Sequence, residues 1–273
     1  MKPKKYLGQH FLKNKNVARK IIEAADVNKD DIVLEVGPGR GALTEFLVQR
    51  AKKVIAIEKD KELTDFLMDK FSAEGGKRQK KLIIIHGDIL KLKNKKLKIK
   101  KYKIVANIPY YITSRFLRQF LESDFQPSLM VLMVQKEVAE RIIARDKKES
   151  ILSISVKAYG QPRIIAKVPA KNFSPMPKVD SAIILIDKIS KDFFNNTNIH
   201  DVGRQKVNNK INEGKFFQLV RHGFAHKRKM LKNNLKISAE TLQKCKIPAL
   251  NRAEELSLKD WNCLYQSIEV QPQ

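Results

Sequence analysis

The sequence predicts an α/β protein: a largely parallel sheet with helices on both faces, followed by a small α-helical domain. Three observations carry that expectation. From residue 31 onward, short β-branched runs alternate with helix-patterned segments. The runs are apolar throughout rather than alternating, as strands buried on both faces are. Beyond residue 188 no further strand candidate occurs.

Taken in order, residues 13–26 ("KNKNVARKIIEAAD") read as a leading helix with Val17, Ile21 and Ile22 along one side. The strand "DIVLEVG" is followed by the helical "GALTEFLVQRA", and "KVIAIEKD" by "ELTDFLMDKF". "LIIIHGD" comes next; then "KIVANIPYY" runs into "TSRFLRQFLES" and "SLMVLMVQ" into "KEVAERIIARD". The last two runs, "QPRIIAKVP" and "VDSAIILIDK", have no long helix between them, as antiparallel strands closing a parallel sheet would. From 189, "ISKDFFNNTNIHDVGRQKVNNKINEG" is rich in Asn and Lys with little periodicity and reads as a linker or mobile loop. "KFFQLVRHGFAH", "RKMLKNNLK", "SAETLQKC" and "SLKDWNCLYQSI" then read as short helices. The expected division is therefore 1–188 and 189–273.

Composition narrows the class. The chain has 273 residues, 42% hydrophobic and 31% charged, which suits a globular protein with one sizeable core and a smaller domain. The longest apolar run, "LMVLMV" (129–134), is too short to span a bilayer, and the basic start lacks the apolar stretch of a secretory signal. A cytoplasmic protein without membrane contact is expected. Cys245 and Cys263 form no CxxC pair and read as ordinary reduced thiols. His222 and His226 are spaced to share a helix face, but no obvious further ligand lies beside them, so no metal site is expected. Charge is the more telling number. Lys and Arg total 55 against 29 Asp and Glu, a net of +26. An imbalance of that size favours a polyanionic partner, nucleic acid before a lipid surface.

"VLEVGPGRGALT" sets Gly37, Gly39 and Gly41 between the first strand and the first helix of the sheet, where the backbone must turn tightly and approach a ligand. Glu58 ends the second strand, where a carboxylate can accept hydrogen bonds from both hydroxyls of a ribose. Asp88 ends the third strand, placed to hold an adenine amino group. Those residues up to Glu58 would serve a nicotinamide dinucleotide equally well. Asp88 together with "NIPY" at the end of the fourth strand favours S-adenosylmethionine, and with it a Rossmann-like methyltransferase sheet.

"NIPYY" (107–111) is a poor choice for packing: Pro109 cannot donate in a sheet, and an Asn at a strand end needs a partner. It is a good choice for a flat, hydrogen-bonding ligand such as adenine. The lone pair of adenine's exocyclic amine is delocalised into the ring. Two neutral acceptors, the Asn107 side-chain oxygen and the Ile108 carbonyl, would favour localised lone-pair density on nitrogen. Pro109 holds the backbone extended, and Tyr110 offers a face on which an extruded base can stack.

At this point the chain resembles a known family along nearly its whole length, the KsgA-type small-subunit ribosomal RNA adenine dimethyltransferases. The segments that carry the resemblance are "LGQHFL" (7–12), "EVGPGRGALT" (35–44), "IEKD" (57–60), "GDIL" (87–90) and "NIPYYIT" (107–113). Others are "VQKEVAERI" (134–142), "FSPMPKVDSA" (173–182), "GFAHKRKMLKNNL" (223–235) and "RAEELSL" (252–258). The resemblance implies that Gln9, His10 and Leu12 close over the methionine end of S-adenosylmethionine. It implies that Gly37 and Gly39 lie against the cofactor, Glu58 on its ribose and Asp88 on its adenine, with Asn107 at the same site. Phe173 would be a second aromatic face against the target base. Arg221, Lys227, Arg228, Lys229 and Lys232 would face RNA. The implied activity is dimethylation of two adjacent adenines near the 3′ end of small-subunit RNA by a monomer. Alternatives are a large-subunit adenine methyltransferase of the macrolide-resistance type and a ribosome-assembly factor on the same scaffold. "PKVDSA" and "HKRKMLKNNL" are not expected in the first, and the second would not need Asn107, Tyr110, Glu58 and Asp88 together.

Overall fold

The computed structural model describes residues 2–73, 80–92, 101–195 and 210–269. Its chain divides into two compact units, Met1–Ala139 with Gln161–Ile189, and Glu140–Gly160 with Ser190–Gln273.

The first unit is built on a seven-stranded sheet. A two-residue strand β1 (Phe11–Leu12) precedes it in the chain. The sheet itself comprises β2 (Ile32–Val36), β3 (Lys53–Glu58), β4 (Leu82–His86), β5 (Lys103–Asn107), β6 (Leu129–Gln135), β7 (Gln161–Val168) and β9 (Ser181–Asp187). The spatial order is β4-β3-β2-β5-β6-β9-β7. Pairs from β4 through β6 are parallel, while β9 runs antiparallel to both β6 and β7. The strand order reverses between β2 and β5, and a crevice outside their carboxyl ends is where open α/β sheets take ligands.

Burial follows strand position. β5 and β6 are buried along almost their whole length, as their unbroken apolar runs require. β7 is an edge strand, and its residues alternate between exposed and half-buried up to the buried Val168. An edge tolerates Pro162, whose missing N–H would break a ladder in a central strand. Helices Lys15–Ala24, Thr44–Arg50, Lys61–Ala73 and Thr113–Leu121 lie where their patterns put them, each a little shorter than its patterned stretch or, for Lys61–Ala73, longer. Asn14 caps the first by accepting from the Asn16 N–H. An additional ribbon, β1 against β8 (Phe173–Ser174), pairs Leu12 with Phe173. Two-residue strands leave no periodicity to read, and the sequence did not suggest it.

The second unit is helical. It takes in Glu140–Gly160, which chain order alone would assign to the sheet unit. Helix Ile151–Lys157 was not expected; its sign is a capping box in which Ser150 and Ser153 satisfy each other's backbone N–H groups. Just after it, Tyr159 packs on Phe194 and Phe217, ring centroids 5.1 and 6.0 Å away, and its hydroxyl donates to Glu213. These contacts tie the segment to the C-terminal helices Glu213–Gly223, Leu231–Leu235, Ala239–Lys244 and Leu258–Glu269. The stretch expected to be a linker begins instead with a helical turn, Asp192–Asn195, whose Phe194 is buried. Its residues 196–209 lie outside the described residues, and its last five, 210–214, are described.

Two further expectations are corrected here. Cys245 and Cys263 are joined in a disulfide, not free thiols, with Cα atoms 5.7 Å apart. Packing of Ala239–Lys244 against Leu258–Glu269 brings them together. His222 and His226 do not share a helix, because the helix ends at Gly223. A Cβ on Gly223 would lie 2.3 Å from Trp261 Cη2, so close packing of the buried Trp261 occupies the space there. Among the described residues no helix is long and apolar enough to cross a membrane.

Candidate active site

The cavity lies at the carboxyl ends of β2, β3 and β5 and is lined by the glycine turn, Glu58, Asp88 and "NIPYY". Gly37 has φ +65° and donates its N–H to the Ile57 carbonyl, linking the turn to β3. Gly39 has φ +58°, and a Cβ there would press to 3.1 Å on the Phe11 ring. Only glycine meets both demands without strain.

Glu58 is buried, and three backbone N–H groups hold its carboxylate. Gly39 donates to one oxygen at 3.1 Å; Lys59 and Asp60 donate to the other at 2.8 and 2.9 Å. Burial is the larger effect and pushes its pKa up, against those hydrogen bonds. Asp88 is placed by the Leu90 N–H at 3.0 Å and by the Lys59 ammonium at 3.0 Å. Burial would raise its pKa, but Lys59 and the Leu90 N–H override that and hold it below the ordinary carboxylate value.

Asn107 closes β5. Its side-chain nitrogen donates to the His10 carbonyl at 3.2 Å. A carbonyl can only accept, so this bond fixes which end of the amide is nitrogen and leaves the oxygen as an acceptor on the other side. Pro109 (φ −57°, ψ 133°) holds the turn after Ile108 extended. The Tyr110 hydroxyl pairs with the Ser181 hydroxyl at 2.7 Å, and its ring stacks at 20° to the His10 ring, centroids 5.9 Å apart. Burial raises the Tyr110 pKa, with Ser181 opposing. Sequence reasoning did not single out Ser181, although it stands inside the quoted "PKVDSA". It is completely buried, and its job is visible only once β9 lies beside β6.

An N-terminal strap crosses the cavity. Gln9 donates to Asp60 at 2.8 Å and accepts from the Lys4 N–H at 2.7 Å, while the Lys4 ammonium reaches the other Asp60 oxygen at 2.8 Å. His10 donates from Nδ1 to the Pro175 carbonyl at 2.7 Å. Leu12 is buried among the core side chains as well as touching the cavity. Asp60 is the anchor the sequence reading missed.

Phe173 does not face the cavity. It is 1% exposed and packs in the hydrophobic core, because its pairing with Leu12 turns its side chain inward. A base cannot stack on it in this arrangement, and the expectation of a second aromatic face at 173 is corrected accordingly.

In the helical unit, Arg221, Lys227, Arg228 and Lys229 are exposed and Lys232 is half-buried. Lys227–Lys229 occupy a turn between two helices, held by Asn234, which donates to the Gly223 and His226 carbonyls at 2.6 and 3.1 Å. A second basic run, "KLKNKKLKIKKYK" (91–103), is only partly described. Within it Lys103 is engaged in structure, pairing with Asp31 at 2.9 Å, and residues 93–100 lie outside the described residues.

Known proteins converge on the same reading. A 41% identical relative from Dehalococcoides mccartyi, aligned over 97% of this chain and 88% of its own, is named ribosomal RNA small subunit methyltransferase A. One from Fusobacterium nucleatum with the same name is 39% identical over 94% of both chains. A dimethyladenosine transferase structure from Plasmodium falciparum superposes with a TM-score of 0.77 at 28% identity, covering 95% of this chain and 98% of that one. The fold is shared with the 23S rRNA methyltransferase ErmE at a TM-score of 0.73 and 22% identity, covering 95% and 99%. The family described as ribosomal RNA adenine dimethylase matches residues 1–270, and with those relatives it shows that the chain belongs to that family.

Proposed function

We propose that the protein dimethylates the exocyclic amines of two adjacent adenines near the 3′ end of small-subunit ribosomal RNA, with S-adenosylmethionine as donor. The observation that carries this reading is the Asn107 amide, oriented by the His10 carbonyl beside a cavity that also contains Glu58 and Asp88.

The residues fit that donor. Glu58 offers a carboxylate held rigidly by backbone N–H groups at the end of β3, suited to the two hydroxyls of a ribose. Asp88 offers an acceptor for an adenine amino group, and Gly37 and Gly39 let the backbone come close. Gln9, His10 and Leu12 would cover the remaining part. When bound, S-adenosylmethionine supplies an electrophilic methyl group on a sulfonium. The chain's own contribution is position. Asn107 Oδ1 and the Ile108 carbonyl accept the two N–H groups of the target amine and turn its lone pair toward the cavity. No residue has to act as a strong base beforehand, because the amine's proton becomes acidic only after alkylation. Tyr110, pinned through Ser181, offers a fixed ring for the flipped base. The exposed cations of the helical unit supply phosphate contacts.

Labelled methyl transfer to isolated ribosomal subunits tests the substrate. Incorporation into small-subunit RNA is expected. Label confined to large-subunit RNA would move the protein to the resistance-type activity.

A further inference from the structure

Three large side chains stand exposed around the mouth of the cavity. Tyr111, which lines it, is 57% exposed, Tyr6 79% and Met176 67%. Tyr6 precedes the cavity-lining Leu7, and its hydroxyl and that of Tyr111 both lie within electrostatic reach of Lys59, another lining residue. Met176 follows Pro175, whose carbonyl accepts from the ring of His10, also at the cavity. Single exposed apolar side chains are ordinary on any surface, but three around one opening point to a partner's contact.

Tyr111 is the best placed of them. It follows Tyr110 in the 3-10 helix Tyr110–Ile112. Successive residues of such a turn point about 120° apart, so while the Tyr110 hydroxyl turns in to Ser181, Tyr111 turns out to the rim. Gly8, at φ +61°, lies against its ring: a Cβ there would sit 3.4 Å from Tyr111 Cδ1. The strap thus backs the ring and leaves the rest of it open to solvent. A ligand enclosed by the cavity leaves Tyr6 and Met176 uncovered, because neither lines it. A chain that sends one base into the cavity has to lay its neighbours across the rim. Flipping also takes the target out of its stack and leaves the adjoining base with one face bare.

Resting on the function proposed above, we propose that Tyr111 is the stacking platform for the nucleotide adjoining the target adenine, with Tyr6 and Met176 extending the apolar rim along the RNA strand. Where two adjacent adenines are both substrates, one rests on Tyr111 while the other occupies the pocket. The contact tolerates any base, because every base has a flat face to stack.

Binding of the full chain to a labelled single-stranded RNA carrying one adenine among uridines, at one fixed salt concentration, tests this. The same strand is made abasic on the 5′ side or on the 3′ side of that adenine. Tyr111→Ala should weaken binding to the intact strand by about tenfold, as loss of one base–ring stack does. Removing the base on one side should cost the wild type the same factor. It should cost Tyr111→Ala nothing more on that side, since residue and base act as one contact. Tyr111→Phe, which keeps the ring, should bind as the wild type does, and Tyr111→Asn as Tyr111→Ala does. Donor affinity of Tyr111→Ala, read by calorimetry, should stay within a few-fold. Full-strength RNA binding by Tyr111→Ala would overturn the proposal, as would a loss that is undiminished on both abasic strands. A drop in donor affinity as large as the drop in RNA affinity would also overturn it, by assigning the ring to the donor. The cycle reads binding alone, so its outcome is separable from the methyl-transfer assay on ribosomal subunits, whose failure would overturn the proposed function.

Discussion

Asn107 shows how much of the chemistry rests on one hydrogen bond. The His10 carbonyl takes the amide nitrogen, so the oxygen is oriented before any substrate arrives. Asn107→Ala should lower turnover by about 10²-fold or more, because the lost acceptor works mainly on the aligned amine. Donor affinity should stay within a few-fold. Calorimetry beside single-turnover kinetics checks both, and retention of most activity would sink the proposed chemistry. Asn107, Glu58 and Asp88 were legible because strand ends can be located from apolar runs, and the ends of parallel strands share one edge of the sheet. Phe173 was not. An aromatic ahead of a strand has the same signature whether it faces a ligand or the core, and only its pairing with Leu12 decides.

Among the elements, the N-terminal strap depends on Asp60, which binds Lys4 and Gln9 at once. Burial would raise the Asp60 pKa, but the Lys4 ammonium and the Gln9 amide outweigh it and the pKa is lowered. The sign follows. The stabilisation is present in full above the ordinary Asp value and is lost only as pH falls through the lower folded value. The strap should therefore stay tethered through mildly acid conditions. Asp60→Ala should loosen it wherever Asp60 is ionised, giving faster proteolysis within residues 4–13 and several-fold weaker donor binding at neutral pH. Unchanged cleavage would show that the ribbon of β1 and β8 alone holds it. In the helical unit, Gly223 meets Trp261 with no room for a methyl group. Gly223→Ala should cost about 1–3 kcal/mol in chemical denaturation, and an unchanged midpoint would mean that the indole moves aside freely. The long patterned helices were readable from their periodicity. Ile151–Lys157, at seven residues, spans only two turns, and the Cys245–Cys263 bridge depends on helix packing that an 18-residue spacing does not encode.

For the molecule as a whole, a net charge of +26 fits a protein that works on a polyanion. Lys227, Arg228 and Lys229 are exposed and make no ion pair among the described residues. Replacing all three with Ala should reduce the slope of log affinity for RNA against log salt by about 2, at ~0.7 per single-strand phosphate contact. An unchanged slope would assign that turn to solubility alone. The parallel strands and the antiparallel pair that closes the sheet could be anticipated from the chain. The assignment of Glu140–Gly160 to the helical unit could not, because a chain that leaves a unit and returns to it carries no local mark. On the proposed function, one pocket methylates the same amine twice. Two acceptors are both needed only for the first transfer, and the monomethylated nitrogen keeps one hydrogen to engage and a lone pair to offer. Mass spectrometry of digested small-subunit RNA, after reaction with excess S-adenosylmethionine, reads this directly. Dimethyladenine at two neighbouring positions is the expected product, and monomethyladenine as the sole end product would contradict it.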